Sequence, residues 1–257
     1  MKAYELMNEI YNAVPRSENT CDTLKCGSAD KEIKKAAVCC IASVEVIRDA
    51  AEWGADMIIT HEPTVFDHMD IIDTEDEITR KKLQLIEEAG MTVYRFHDGM
   101  HAAEFDMIAE GELHYIGLDG VYEKGDSFAC NRFTLKEPMS ALELAEHISK
   151  ALNISHIRIC GERHKKSTKI ALCFGSPGEG IFKALKDGES EIAIAGEVCE
   201  WQWGEYARDA AAFGYNKTLM ILGHMGSEKD GMRLLSKRLA EKYPQVEFKY
   251  FDCGEVY

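Results

Sequence analysis

Apolar residues along this chain fall into short continuous runs, and the runs alternate with segments of helical spacing that end at glycine. Ala36 to Ile41 reads as a buried strand, after which Ser43 can cap a helix running to Trp53 and stopped by Gly54. A strand over 55–60 follows. The pattern Thr74-Glu75-Asp76-Glu77 predicts a capping box that opens a helix from about Glu75 to Ala89, closed by Gly90 before a strand over 91–96. Strands alternating with helices in this way predict a parallel sheet with right-handed crossovers, in which the loops after the strands gather on one edge.

The middle of the chain, from about Glu123 to Gly188, predicts strands over 128–134, 156–160 and 168–174, with a helix capped by Ser140 and Glu143 after the first. Gly175-Ser176-Pro177-Gly178-Glu179-Gly180 then opens a helix through about Lys186. Backbone N–H groups of such a turn can hold an anion, but the turn lacks the Gly-Lys-Ser/Thr ending of a Walker loop and serves as well for a plain strand-to-helix connection. A strand over 191–195, a helix over 203–213 ended by Gly214, and strands over 217–222 and 246–251 complete the reading. One heptapeptide recurs: Arg48-Asp49-Ala50-Ala51-Glu52-Trp53-Gly54 matches Arg208-Asp209-Ala210-Ala211-Ala212-Phe213-Gly214. Each copy is followed by an apolar strand and then a histidine, which predicts two related halves sharing one site.

Length and charge narrow the possibilities. A chain of 257 residues can bury a large core as one α/β domain or two compact lobes, without needing a disulfide or a structural metal to fold. Its net charge of -15, from 45 acidic and 30 basic residues, opposes direct binding to nucleic acid and to anionic membranes. The nine cysteines form no Cys-x-x-Cys pair. Cys39, Cys40 and Cys173 lie in apolar runs that suit buried thiols, so a reducing cytoplasm is expected. Met1 to Met7 reads as an amphipathic helix rather than a signal peptide, and no apolar stretch reaches membrane-spanning length. With five prolines and no low-complexity tract, any lobes should pack tightly together.

Three histidines, His61, His97 and His224, stand where predicted strands end, the edge at which open α/β sheets bind ligands. Glu62 follows His61, His101 lies four residues past His97, and Glu228 lies four residues past His224. These six residues offer enough imidazole and carboxylate donors for two divalent ions of the Zn, Mn, Fe or Co class. In two-metal hydrolytic sites, ions about 3.5–4 Å apart polarise the substrate and activate water. Asp98 competes with His101 as a ligand, and Glu62 can instead act as a general base. His68 is a candidate for supporting a ligand or touching substrate. His114, His147, His156 and His164 stand outside the pattern and read as surface or hydrogen-bonded residues. Cys199, Glu200, Trp201 and Trp203 either line the same crevice or, for the tryptophans, pack in the core.

These motifs resemble the Nif-three-like family of dinuclear-metal proteins, whose bacterial members are often labelled type 2 GTP cyclohydrolase I homologues. The likeness runs through Gly54-Ala55-Asp56-Met57-Ile58-Ile59-Thr60-His61-Glu62-Pro63, His97 to His101, Gly196-Glu197, and Gly223-His224-Met225-Gly226-Ser227-Glu228. It implies two intertwined α/β lobes of three-layer α/β/α type with a dinuclear metal site between them, assembled as a toroidal homohexamer. The approximate lobes are 1–124 and 125–189, with 190–257 completing the metal site. Two positions depart from the family pattern: Glu62 stands where a second histidine is usual, and His101 where an aspartate is usual. The totals of four histidines and two carboxylates are kept, which we read as a compensating exchange. The family's tryptophan-aspartate-asparagine signature is absent from Ser17 to Gly27. The resemblance implies a hydrolase in which a metal-bridging hydroxide attacks a small nucleotide-like or phosphoester substrate, with His97 or Glu62 assisting proton transfer. The alternative is a non-enzymatic hexameric metal-binding scaffold or regulator.

Overall fold

In a computed structural model of the chain, residues 1–127 and 130–256 are described. In chain order the elements are α1 (Ala3–Tyr11), β1 (Leu24–Cys26), β2 (Lys35–Cys39), α2 (Val44–Trp53), β3 (Met57–Thr60), α3 (Glu77–Glu88), β4 (Thr92–Arg95) and α4 (Asp98–Ala102). There follow α5 (Met107–Ile116), β5 (Gly120–Ser127), β6 (Cys130–Met139), α6 (Ala141–Leu152), β7 (Arg158–Gly161), β8 (Ser167–Cys173), α7 (Gly180–Lys186) and β9 (Ile192–Ala195). A π-helical turn (Glu200–Gly204) leads into α8 (Glu205–Ala212), then β10 (Thr218–Ile221), a 3-10 turn (Met225–Ser227), α9 (Lys229–Lys242) and β11 (Glu247–Tyr250). The chain divides into two compact units, one of Met1–Ala103 with Gly231–Gly254, the other of Glu104–Asp230 with the residues from Glu255. Both sheets are flanked by helices, so the protein is of mixed α/β class.

The first unit carries a five-stranded sheet in the order β1-β4-β3-β2-β11. Its four strands β4, β3, β2 and β11 are parallel, and β1 adds an antiparallel edge. Every residue of β3 is buried, as a strand covered on both faces requires. On one face Ala37, Cys39, Ile58 and Val93 pack against Val46, Ile47 and Ala50 of α2 and Ile86 of α3. Fully burying each large aliphatic side chain there contributes roughly 1.5–3 kcal/mol. Ser43 caps α2 by accepting from Val46 N–H at 3.2 Å, and Gly54 ends it with φ 80°, as expected from the sequence. The cap of α3 differs. Asp76 rather than Thr74 accepts the N–H of Thr79, at 2.6 Å, so the helix starts at Glu77; a carboxylate is the stronger acceptor at a positive helix end.

The second unit carries a six-stranded sheet in the order β5-β6-β8-β9-β10-β7. Strands β8, β9 and β10 are parallel, while the β5–β6 hairpin and β7 run antiparallel to their neighbours. The expected strand over 128–134 begins at Cys130; positions 128 and 129 lie outside the described residues. Ala171, Ala193, Ala195, Leu219 and Ile221 pack against Ile181 and Leu185 of α7, Ala207 of α8, and Trp203. Trp203 therefore belongs to the core, whereas Trp201 is exposed. The Ser140–Glu143 capping box of α6 is formed.

Cys173 is not the buried thiol the sequence suggested. Asn131 faces Leu172 across the antiparallel β6–β8 pair, so the adjoining Cys130 and Cys173 stand opposite one another, with Cα atoms 4.3 Å apart, and are joined as a disulfide. An apolar run marks Cys173 as buried but says nothing of what faces it across the sheet. Among the described residues no helix is long and apolar enough to cross a membrane.

Candidate metal centre

In the first unit, β3 and β4 are parallel neighbours with Thr60 opposite Arg95. The segments following them, His61-Glu62 and Phe96-His97, therefore leave the sheet at the same edge. The short helix α4 begins immediately after His97 and carries His101 back toward it one turn later. The His61, His97 and His101 rings cluster, with centroids 4.4 Å apart for His61 and His97, 5.1 Å for His61 and His101, and 4.9 Å for His97 and His101. One nitrogen from each lies within 4.8 Å of the others.

The ring orientations are set by hydrogen bonds on the far nitrogens. His61 Nδ1 lies 3.2 Å from the carbonyl oxygen of Phe96 and His97 Nδ1 lies 3.0 Å from Asp98 Oδ1, so each Nδ1 carries the proton. The Nε2 atoms then present lone pairs on the side of Glu62, whose Oε1 is 3.9 Å from His61 Nε2 and 3.7 Å from His97 Nε2. A hydrogen-bond acceptor on one imidazole nitrogen, with the other left as donor to a metal, is the usual arrangement around metal-binding histidines. Burial, with the His97 and His101 rings adding to it, pushes the His61 pKa well below its ordinary value, so the ring is neutral as ligation requires.

Asp98, the competitor of His101, is engaged elsewhere. Its Oδ1 accepts from His97, and its Oδ2 accepts from Thr20 Oγ1 at 2.9 Å and from Cys21 N–H at 3.0 Å. The His97 hydrogen bond is the chief reason its carboxyl is held well below the usual carboxylate range. Cys21, His97 and Asp98 also converge, but burial pushes the Cys21 thiol up to about 12, which disfavours the thiolate a metal needs. The donor set that fits a divalent ion is the imidazole trio with Glu62.

Two further residues hold this cluster. Asp22 is buried and accepts from the N–H groups of His97, Asp98 and Gly99 at 2.6, 2.9 and 2.7 Å, capping α4 and fixing the backbone of His97 at its start. Arg95, fully buried, donates through Nε to the His61 carbonyl at 3.0 Å and through Nη1 to the His68 carbonyl and to Asp70. Asp70 in turn accepts from Thr64 N–H at 2.6 Å, so the loop after His61 closes on Arg95. The His68 ring sits 5.6 Å from that of His97.

The second unit repeats the design. Strands β8, β9 and β10 end in register, Cys173 beside Ala195 and Ala195 beside Ile221, which delivers Gly175, Glu197 and His224 to one edge. His224 Nδ1 is 2.7 Å from Glu197 Oε1, and its Nε2 is 3.1 Å from Glu228 Oε2. A carboxylate again stands behind the ring, at the shorter of the two distances. Ser227 Oγ accepts from Gly175 N–H at 2.9 Å and donates to the His224 carbonyl at 2.8 Å, pinning the 3-10 turn between the two side chains. Gly175, with φ +64°, has no room for a side chain: a Cβ there would fall on the Glu228 carboxylate and meet His224 Nε2 at 3.4 Å. The glycine-rich turn after β8 thus makes room for a candidate ligand, and α7 starts only at Gly180.

His61, Glu62, His97 and His101 are thus gathered in the first unit, and His224 with Glu228 in the second. Sequence reading missed Asp22, Arg95 and Asp70 altogether. Only Arg95 left a trace there, as a charge inside an apolar strand, where burial demands partners. Of the histidines set aside, His147 bonds the Ile116 carbonyl at 2.8 Å and His156 bonds Ser155 Oγ at 2.7 Å.

The molecule is a mixed α/β protein whose buried imidazole and carboxylate clusters, at the ends of parallel strands, could hold a metal ion. The profile of the Duf34/NIF3 (NGG1p interacting factor 3) family matches residues 1–254, and the chain belongs to that family. It is similar to a GTP cyclohydrolase 1 type 2 homolog of Clostridium perfringens, 26% identical over 231 residues that cover 88% of this chain and 85% of that one. Its fold is similar to that of a Bacillus cereus protein related to NIF3, with a TM-score of 0.77 at 14% identity over 100% of this chain and 98% of the other. Reduced HcgD from Methanocaldococcus jannaschii is similar too, with a TM-score of 0.75 at 20% identity over 97% of both chains.

Proposed function

We propose that the chain is a metal-dependent hydrolase acting on a small substrate of nucleotide or phosphoester type, with a pair of divalent ions held by His61, Glu62, His97, His101, His224 and Glu228. One observation carries this reading: His61, His97 and His224 each have Nδ1 engaged by a protein acceptor, and each has Nε2 on the side of a carboxylate. Three such arrangements in one chain suit ligation better than core packing. Bound there, Zn, Mn, Fe or Co would supply Lewis acidity, polarising the substrate and lowering the pKa of water toward neutrality.

The chain's own part is orientation and proton transfer. Glu62, whose carboxylate is 3.9 Å from His61 Nε2 and 3.7 Å from His97 Nε2, would receive a proton from water when it is not itself a ligand, and Asp98 keeps His97 in the tautomer that leaves Nε2 as donor. The name carried by the clostridial relative suggests hydrolytic opening of a purine nucleotide. A homohexamer in the cytoplasm is part of the same proposal, supported by family membership and by most of the nine cysteines being free thiols.

The test is elemental analysis of protein purified without chelators, followed by turnover of nucleotides and phosphoesters with and without the native metal. About two ions per chain and metal-dependent turnover lost in His224→Ala support the reading. Bound metal with no turnover on any substrate would leave a scaffold in place of an enzyme, and absence of metal would remove both.

A further inference from the structure

Two thiols meet at an edge of the sheet in the first unit. Strand β11 is the edge strand beside β2, in parallel register with Tyr250 next to Val38. The pairing runs past the end of β11, since Phe251 N–H donates to the Val38 carbonyl at 2.8 Å. It brings Cys253 to the turn after β2, where the Cys40 thiol donates a hydrogen bond to the Cys253 sulfur and Ile41 N–H donates a second. Cys40 is fully buried, whereas Cys253 is half-buried and packs at the margin of the core around α2 and α3. One member of the pair is thus open to solvent and the other is not.

The other cysteines of this unit are placed differently. Cys39 is buried with its Sγ 3.9 Å from the Ile59 carbonyl, and burial pushes its thiol up to about 12. Cys26 is half-buried, as Cys253 is, but burial pushes its thiol up to about 11. Cys253 moves the other way. The hydrogen bond from Cys40 outweighs both burial and the Asp252 carboxylate, and holds its pKa below the ordinary thiol value. A sulfur that receives a proton donor from a neighbouring thiol is the arrangement that makes one cysteine of a dithiol nucleophilic. Cys40 has a second connection: its carbonyl accepts from His61 N–H at 3.1 Å and from Glu62 N–H at 2.7 Å, so one residue ties the thiol pair to the loop of candidate ligands.

We propose that Cys40 and Cys253 form a redox-active dithiol that exchanges with small-molecule disulfides of the glutathione type, with Cys253 as the attacking sulfur and Cys40 as the resolving one. The Cys253 thiolate attacks one sulfur of the small disulfide and that S–S bond breaks. One thiolate leaves, takes up the proton that Cys253 gave up, and a mixed disulfide remains on Cys253. Cys40 then loses its proton and attacks the Cys253 sulfur, forming the Cys40–Cys253 bond and expelling the second thiolate, which takes that proton. The two protein thiols lose two electrons, and the small disulfide gains them to become two thiols. The assignment is independent of the metal-dependent reading above.

To test this, the full-length protein as purified is equilibrated across ratios of oxidised to reduced glutathione, its remaining thiols are blocked with iodoacetamide, and tryptic fragments are identified by mass. A cross-link between fragments 36–48 and 250–257 should form as the ratio rises and vanish as it falls. Cys39→Ser should keep that cross-link. Cys40→Ser should lose it and hold glutathione on Cys253 instead, at least about tenfold more than Cys26 carries. In the reduced parent, iodoacetamide should modify Cys253 at least about tenfold faster than Cys26, a measurement that stands even where Cys40→Ser does not fold. No cross-link at any ratio, a cross-link that survives Cys40→Ser, or equal reactivity of Cys253 and Cys26 overturns the proposal.

Discussion

Asp98 Oδ1 stands 3.0 Å from His97 Nδ1, while the other oxygen of the same carboxylate receives Thr20 Oγ1 and Cys21 N–H. One side chain thus ties the loop before β1 to the ring orientation of a candidate ligand. If His97 holds metal, the carboxylate behind it raises the basicity of Nε2 and fixes its direction. Asp98→Ala should lower metal affinity about 10- to 100-fold, the usual cost of losing such a partner. Asp98→Asn, which keeps an acceptor oxygen without the charge, should fall between. Competition with a chromophoric chelator measures both, and affinity unchanged in Asp98→Ala would show that His97 does not need this support.

Asp22 gathers three N–H donors at the start of α4. Its loss combines removal of a helix cap, about 0.5–2 kcal/mol, with buried donors left unsatisfied, about 1–3 kcal/mol. Asp22→Ala should therefore destabilise the protein by about 1.5–5 kcal/mol, read from the denaturant midpoint at unchanged m-value. Because His97 and His101 sit on that backbone, metal content should fall as well. A variant as stable as the parent would mean that water replaces the carboxylate at no cost.

Local punctuation made much of the first unit legible. Ser43 and Gly54 bracket α2, and the uninterrupted apolar run before His61 is a strand buried on both faces. The glutamate and histidine spacings around His61, His97 and His224 marked the candidate ligands because strand ends and short turns place neighbours in sequence close in space. Asp22 was not legible, since its partners lie 75 to 77 residues away and no local pattern records them. The π-helical turn at Glu200–Gly204 and the return of Gly231–Gly254 to the first unit follow from tertiary packing. The β5 strand was missed because Gly120 to Gly125, on the edge of the sheet, is largely exposed or half-buried and offers no continuous apolar signal.

Gly175 and Gly178 lie in the same turn with φ +64° and +55°, but a Cβ at 178 meets nothing within 4 Å whereas one at 175 collides with Glu228. Both alanine variants carry the left-handed backbone cost of roughly 1–2 kcal/mol. Only Gly175→Ala should displace Glu228 from His224. The expected outcome is similar melting temperatures for the two variants, with loss of bound metal confined to Gly175→Ala. Equal metal content in both would show that Glu228 can move aside without consequence.

Glu112, on α5, is fully buried, and its Oε1 accepts from Asp230 N–H at 2.9 Å. Burial first, and then the neighbouring Asp230 carboxylate, raises its pKa well above the ordinary 4.5, with Glu228 adding to the rise and Lys229 opposing it. A carboxyl whose native pKa exceeds its unfolded value keeps a proton that the unfolded chain gives up. Its contribution to stability is complete below the ordinary carboxylate range and is lost as pH climbs from there through the native pKa. Within that window the slope reaches at most about 1.4 kcal/mol per pH unit for one proton. Glu112→Gln keeps the acceptor for Asp230 N–H and cannot ionise, so its stability should stay flatter across the window and exceed that of the parent above it. Urea denaturation of both proteins from pH 4 to pH 8 at fixed ionic strength gives the difference between the two curves, in which titrations common to both cancel. Parallel curves would mean that Glu112 ionises in the native state as readily as in the unfolded chain.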